Sequence, residues 1–220
     1  MNRDWSELSP LLWESVRETL YIVGVTVGVG GVLGLVLGVL LYATRRGNLL
    51  QNVVVFTVLN VAVNIVRPIP FIIFITAVGP VTLAVVGTTI GNQAVIFAMS
   101  IMATFVTARI VEQNLVATDP GVIEAARAMG ASRLRILVTV LVPEALAPLI
   151  LGFTFLVIGI VDMSALAGYV GGGGLGNFAI VYGYQRFNWE VTLVTVLVII
   201  GMVQLAQLLG NWLARKALHR

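Results

Sequence analysis

No cysteine occurs among the 220 residues, which excludes disulfides and thiolate metal or redox chemistry. Histidine occurs once, at His219, where it reads as a solvated tail residue rather than a ligand. Lysine also occurs once, at Lys216, behind Arg215 and not behind a glycine loop, so the sequence holds no P-loop. There is no HExxH, no Ser–His pairing and no carboxylate cluster, and no catalytic, cofactor-binding or metal-binding residue is expected. Charge is scarce as well: 10% of residues are charged and 59% hydrophobic, with a mean hydropathy of +1.01. A soluble domain carries about 25% charge and about 45–50% apolar residues. No soluble core could hide this much apolar surface, and disorder demands the opposite composition. The formal charge of +3 comes from scattered arginines, a pattern that in such a chain sets membrane topology rather than meeting nucleic acid. The chain reads as an integral membrane protein.

A spanning helix needs about 20 predominantly apolar residues. Runs at 19–43, 53–78, 143–167 and 191–213 satisfy this, and a fifth at 91–111 is flecked with Asn92, Gln93, Ser100 and Thr104. The period-2 alternation of a membrane barrel is absent. The expected fold is all-α: five transmembrane helices in a single domain over 1–220, with its longest connection at 112–142. Five spans put the two chain ends on opposite sides. With the N-terminus outside, the inner set is Arg45, Arg46, Arg109, Arg127, Arg133, Arg135, Arg215, Lys216 and Arg220, against Arg3, Arg17 and Arg186 outside. The positive-inside rule therefore favours N-outside and C-inside. The first run is too long, and its leading segment with Asp4, Glu7, Glu14 and Glu18 too acidic, for a signal peptide. Ser9-Pro10 looks like the N-cap and N1 of a short interfacial helix, with Trp5, Trp13 and Tyr21 in the headgroup zone.

Two glycine patterns need care. Gly171-Gly172-Gly173-Gly174-Leu175-Gly176 satisfies the spelling of a dinucleotide fingerprint, and Glu190 follows at a suitable distance. That fingerprint requires a strand before it and a βαβ unit around it. Here it lies between membrane spans, and a close-packed turn is expected. Gly24, Gly28, Gly30, Gly34 and Gly38 fall at the spacing that brings helices close, either within the chain or between two copies.

The connection at 112–142 is the most informative stretch. Asp119-Pro120 is a helix start, Gly130 a C′ stop, and Ser132 a cap for a second helix at 133–141 that runs into Pro143. Val122, Ile123, Ala126 and Met129 form an apolar ridge at helical spacing. Such an element either rests on the membrane surface, with Arg127, Arg133 and Arg135 meeting lipid phosphates, or docks into a groove of a partner.

Glu124-Ala125-Ala126, three residues, Gly130, nine residues, then Val140-Leu141-Val142-Pro143 resembles the EAA motif of bacterial ABC importer permeases. Valine stands for the usual Ile and Leu of its I-x-L-P end. The Asn64-Ile65-Val66-Arg67-Pro68-Ile69-Pro70-Phe71-Ile72 stretch, the Val142-Pro143-Glu144-Ala145-Leu146 stretch and the glycine run before Tyr182-Gly183-Tyr184 extend the resemblance to the methionine-uptake permeases. That resemblance implies a bacterial inner-membrane permease with a second copy of itself, two cytoplasmic ATPase subunits and an external substrate-binding protein as partners. ATP and Mg would be bound by the ATPase and none by this chain. It also implies that Glu124, Ala125, Ala126 and Gly130 couple to the ATPase, and Met129 on the same helix joins them. The cargo implied is a small amino acid, methionine in D or L form. An osmoprotectant permease for betaine or choline is an alternative, although no aromatic cluster for a quaternary ammonium lies within a span. A transporter without an ATPase is a second alternative, and the docking loop distinguishes it.

Ionisable groups at membrane depth tend to pair or to line a pathway. Arg67 lies well inside the second run, beside Pro68 and Pro70, which each remove a backbone donor. A pathway or gate with exposed carbonyls and a plain kink are both open there. Asp162 is acidic within the fourth run and could pair with Arg67, meet a cationic group of the cargo, or reach water. With Asn64 and Ser164 these residues form the candidate pathway set.

Overall fold

The computed structural model describes residues 5–218, so Arg3, Asp4, His219 and Arg220 lie outside the described residues. Regular structure among the described residues is helical. The order is α1 (Trp5–Thr44), α2 (Val53–Val66), α3 (Phe71–Ala77), α4 (Gly79–Val86), α5 (Asn92–Val116), α6 (Pro120–Ala128), α7 (Arg133–Arg135), α8 (Val142–Glu144), α9 (Leu146–Ala165), α10 (Leu175–Phe178) and α11 (Trp189–Leu218). Four stretches are long and apolar enough to cross a membrane: α1, α5, Leu146–Val170 and α11. The pair α2 and α3, bent by 113°, makes a fifth if counted as one broken span.

α1 departs from expectation at its start. It is one 40-residue helix that runs straight through Pro10, and Ser9-Pro10 does not open it. A proline in the second turn removes a single backbone bond. That loss is offset because Leu8 is buried in a cluster with Phe178 and Val191, against which Trp5, Leu11 and Leu12 pack. Tertiary burial overrides the local stop signal.

The second run is broken rather than loosened. Asn52 caps α2 by accepting from the Val55 amide at 3.1 Å. Pro68 and Pro70 cannot donate to the carbonyls of Asn64 and Val66, so the helix ends at Val66. The Ile69 amide closes a tighter turn on the Val66 carbonyl at 3.2 Å, and Pro70 then caps α3 in an extended conformation.

The described residues form two compact units. One comprises 5–29, 70–101 and 157–207, and the other 30–69, 102–156 and 208–218. In the second unit, Tyr42, Leu49, Val111, Leu115, Ile136, Leu141 and Leu149 belong to one buried cluster. α1 and α5 approach closely there: a Cβ on Gly34 would lie 2.7 Å from the Thr104 carbonyl oxygen, and one on Gly38 2.6 Å from that of Ala108. The small-residue repeat thus serves packing within the chain at Gly34 and Gly38, while Gly24 and Gly28 face open space. Val32, Val36 and Leu40 of α1 and Val54, Val58 and Ile65 of α2 remain exposed at helical spacing. Apolar faces of this extent belong against lipid or another subunit, not water.

Candidate functional site

α6 is closed at both ends by local chemistry. The Asp119 carboxylate accepts from the Gly121 amide at 2.8 Å, and Pro120 occupies the first turn, where its missing donor is harmless. At the other end the Gly130 amide donates to the Arg127 carbonyl at 2.9 Å, and the Ala131 amide to that of Ala126 at 3.1 Å. This pair of bonds is a Schellman stop, which requires a left-handed residue at Gly130, where φ is +78°. Ala126 is buried and Ala131 packs against the same cluster, supplying the apolar contact that accompanies such a stop. The glycine six residues after Glu124 is therefore a geometric requirement of the element.

The predicted ridge divides between two faces. Ala126 is only 3% exposed and Ile123 packs beside it, so both hold α6 to the cluster formed with Tyr42, Leu115 and Leu141. Met129 is 81% exposed, and Glu124, Ala125 and Ala128 are exposed with it. Ala126 thus packs α6 against the rest of the unit, while Glu124, Ala125 and Met129 share the outward side. Behind α6, Ser132 accepts from the Arg135 amide at 3.4 Å, as its position predicts. The second helix does not stay α-helical: Ile136–Leu141 is π-helical, with the Val142 amide reaching back five residues to the Leu137 carbonyl. Pro143 lacks the donor for the Thr139 carbonyl and its ring crowds that position, and widening the preceding turn relieves the clash.

α5 carries the polar centre of this unit. Arg109 donates through Nη2 to Asn60 at 2.8 Å and to Asn64 at 2.7 Å, residues one turn apart on α2. Its Nη1 bonds Glu112, whose side chain is 3% exposed. Arg45 stands 3.9 Å from the other Glu112 oxygen. A buried carboxylate is tolerable only with such partners. Glu112, expected to open the loop, lies instead within α5, and its buried carboxylate with the part-buried Arg109 ties α5 to α2 just ahead of the break.

Of the remaining candidates, Asn64 is held by Arg109, while Arg67, Pro68 and Pro70 are exposed at the break. Asp162 is exposed on α9. Ser164 is buried, and its hydroxyl donates to the Val161 carbonyl at 2.7 Å.

Residues 30–219 match the family described as binding-protein-dependent transport system inner membrane component. The chain belongs to this family. It is accordingly a multi-pass inner-membrane permease. The permease is 42% identical over 212 residues to a protein of Vibrio cholerae serotype O1 described as probable D-methionine transport system permease protein MetI, covering 96% of this chain and 94% of that one. It is also 42% identical over 200 residues to the methionine import system permease protein MetP of Bacillus subtilis, covering 91% and 90%. Among solved structures, a chain of the MetNI methionine ABC transporter, from a crystal form with inward-facing conformations, superposes with a TM-score of 0.92 at 40% identity, covering 96% of the permease and 98% of that chain.

The permease's glycine run is a packed turn, as its spacing implies, but what holds it was not foreseen. The amides of Gly173, Gly174 and Leu175 donate in turn to Asn92 (2.7 Å), Glu18 (2.8 Å) and Thr19 (2.9 Å). Asn92 also donates to Glu18 at 3.3 Å. A residue larger than glycine at 173 would collide with the Glu18 carboxylate. In the sequence Glu18 stands out only as part of an acidic flank. The sequence did hold a signal for the other network: Asn60 and Asn64 one turn apart in an apolar run, and Arg109 with Glu112 three residues apart.

Proposed function

We propose that this permease forms the membrane pathway of an ATP-driven importer for methionine, in D or L form. The reading is carried by its match, over nearly its whole length, to permeases described as methionine transporters. It works as a homodimer with two cytoplasmic ATPase subunits, which bind ATP and Mg, and with an external binding protein. Its N-terminus faces outside and its C-terminus the cytoplasm. α6 is the element that meets the ATPase, through the outward side bearing Glu124, Ala125 and Met129. Small side chains at 125 and 128 let a helix lie deep in a groove. Movement of the ATPase subunits is passed on because Ala126 and Ile123 pack α6 into the same buried cluster as Tyr42 and Leu115, the inner ends of α1 and α5. Rigid-body rocking of the helices then alternates access to the cargo. Arg109 keeps α2 and its break at Arg67–Pro70 in step with α5.

Co-expression with the ATPase, followed by mass measurement in detergent, should give two copies of each subunit. Proteoliposomes carrying that complex and the binding protein should take up labelled methionine only with ATP, and excess betaine should not compete. Uptake without nucleotide, or uptake of betaine in preference, overturns the reading.

A further inference from the structure

Beyond α1 the chain turns around a cavity of about 280 Å³, which is also lined by the end of α5 and by α6. Its walls carry three guanidinium groups, Arg45, Arg46 and Arg127, against one carboxylate, Glu124. Of the other polar groups in the wall, the Gly47 amide donates to Gln51 at 3.0 Å, the Asn48 side chain to the Tyr42 carbonyl at 2.6 Å, and the Thr118 hydroxyl to that of Asn114 at 3.4 Å. Arg46 and Arg127 make no ion pair among the described residues. Arg45 has only Glu112, at 3.9 Å, and that carboxylate bonds Arg109 more closely. The cavity is therefore a pocket of positive charge whose free donors are arginine forks.

We propose that it binds a phosphate group, presented by the headgroup of an anionic phospholipid. Guanidinium forks match phosphate oxygens two at a time, which a lone ammonium cannot do. The position favours a lipid as the source. The apolar run of α1 ends at Ala43, and Arg45 and Arg46 follow at once, which is where a spanning helix meets the headgroups, and the cavity lies beside that point and the end of α5. Val116 and Ile123 give it an apolar wall suited to the glycerol end of a headgroup. Water occupies about 30 Å³ per molecule, so the volume holds a phosphate with its glycerol and little else. Two consequences follow from shared residues. Arg45 also faces Glu112, so a phosphate competes with that carboxylate. Arg127 and Glu124 belong to α6, so a bound headgroup ties the coupling helix to the bilayer.

The inference rests on the importer reading only for the role of α6, and its test does not involve transport. The permease–ATPase complex is purified from mixed vesicles of phosphatidylglycerol and phosphatidylcholine, and the lipid retained per complex is measured by mass spectrometry. Phosphatidylcholine has the same phosphate, but its ammonium would meet three guanidinium groups. Phosphatidylglycerol should be retained in preference, and Arg46→Gln alone should lower its retention about fivefold. The triple change of Arg45, Arg46 and Arg127 to Gln should lower it more. The same triple change to Lys, which keeps the charge but not the forks, should give retention between that of the unaltered complex and that of the Gln triple, and show that the fold survives. Arg133→Gln with Arg135→Gln, outside the pocket, should leave retention unchanged. Equal retention of the two lipids, or retention unaffected by the Gln changes, overturns the proposal. Binding of inorganic phosphate without lipid retention would uphold the phosphate site and overturn the lipid as its source. Loss of the ATPase from the Gln variants, with lipid retention intact, would assign the arginines to an acidic protein surface and overturn it.

Discussion

Arg109 on α5 donates to the side chain of Asn64 at 2.7 Å, on the last full turn of α2 before that helix breaks. The bond joins a charge part-buried beside Glu112 to the segment at which Pro68 and Pro70 end the helix. It also explains why Asn64 is polar in an otherwise apolar helix.

Removing one member of this pair should strand the other. Arg109→Gln and Glu112→Gln are each expected to destabilise the permease by about 1–3 kcal/mol, since the buried Glu112 carboxylate keeps only Arg45 at 3.9 Å and the part-buried Arg109 keeps only Asn60 and Asn64. The double change should recover a good part of that loss. Thermal unfolding of the complex in detergent reads all three. Simple additivity would show that the two side chains act separately.

Gly130→Val should place a β-branched residue at a φ of +78°, at a strain of about 1–3 kcal/mol. The stop of α6 would be lost, while the buried cluster beneath it would hold the chain inserted. Glu124→Arg alters the outward side without touching the stop. Both variants should keep hydrolysing ATP in the complex while methionine uptake falls at least about tenfold, measured side by side in proteoliposomes. Normal uptake by both would make α6 a surface hairpin.

Glu18→Ala should release the glycine turn. Its carboxylate accepts from Gly174 and from Asn92, and a charge-assisted bond of this kind contributes about 1.5–3 kcal/mol. Amide hydrogen exchange at 173–175 should accelerate markedly, with little change at α6. Unaltered exchange would mean that Asn92 and Thr19 suffice.

Asp162→Asn and Arg67→Gln test the pairing expected from their depth in the sequence. If the two meet during the transport cycle, each single change should lower uptake and the double change should restore part of it. Independent losses reject the bridge, and a shift of cargo preference in Asp162→Asn alone would assign that carboxylate to the cargo.

The caps of α6 and α7 were legible because capping is local. Asp119, Gly130 and Ser132 act on amides and carbonyls within a few residues of themselves, so their spacing carries the geometry. The helical spacing separated Ala126, on the apolar ridge, from Ala125 beside it. What it did not show is that the ridge divides, with Ala126 buried and Met129 exposed, because only the surface beneath α6 decides how far along the ridge burial extends. The partners of Arg109 were hidden for a related reason: an arginine at the end of an apolar run looks the same whether it meets water or a buried carboxylate on its own helix.

What the sequence by itself determined is the solvent and the rhythm of the chain. Its apolar runs require a bilayer, its prolines stop α2 and widen the turn before α8, and its capping residues delimit α6. These effects act over a few residues, or through summed hydropathy, and need no knowledge of neighbours. The tertiary structure decided where polar groups find partners. It carried α1 through Pro10 by burying Leu8, and it set Glu18 against Gly174, 156 positions away in the chain. Such pairs form because a buried amide or carboxylate must be satisfied by whatever the packed helices bring within reach. That reach is a property of the whole fold, which no local pattern encodes.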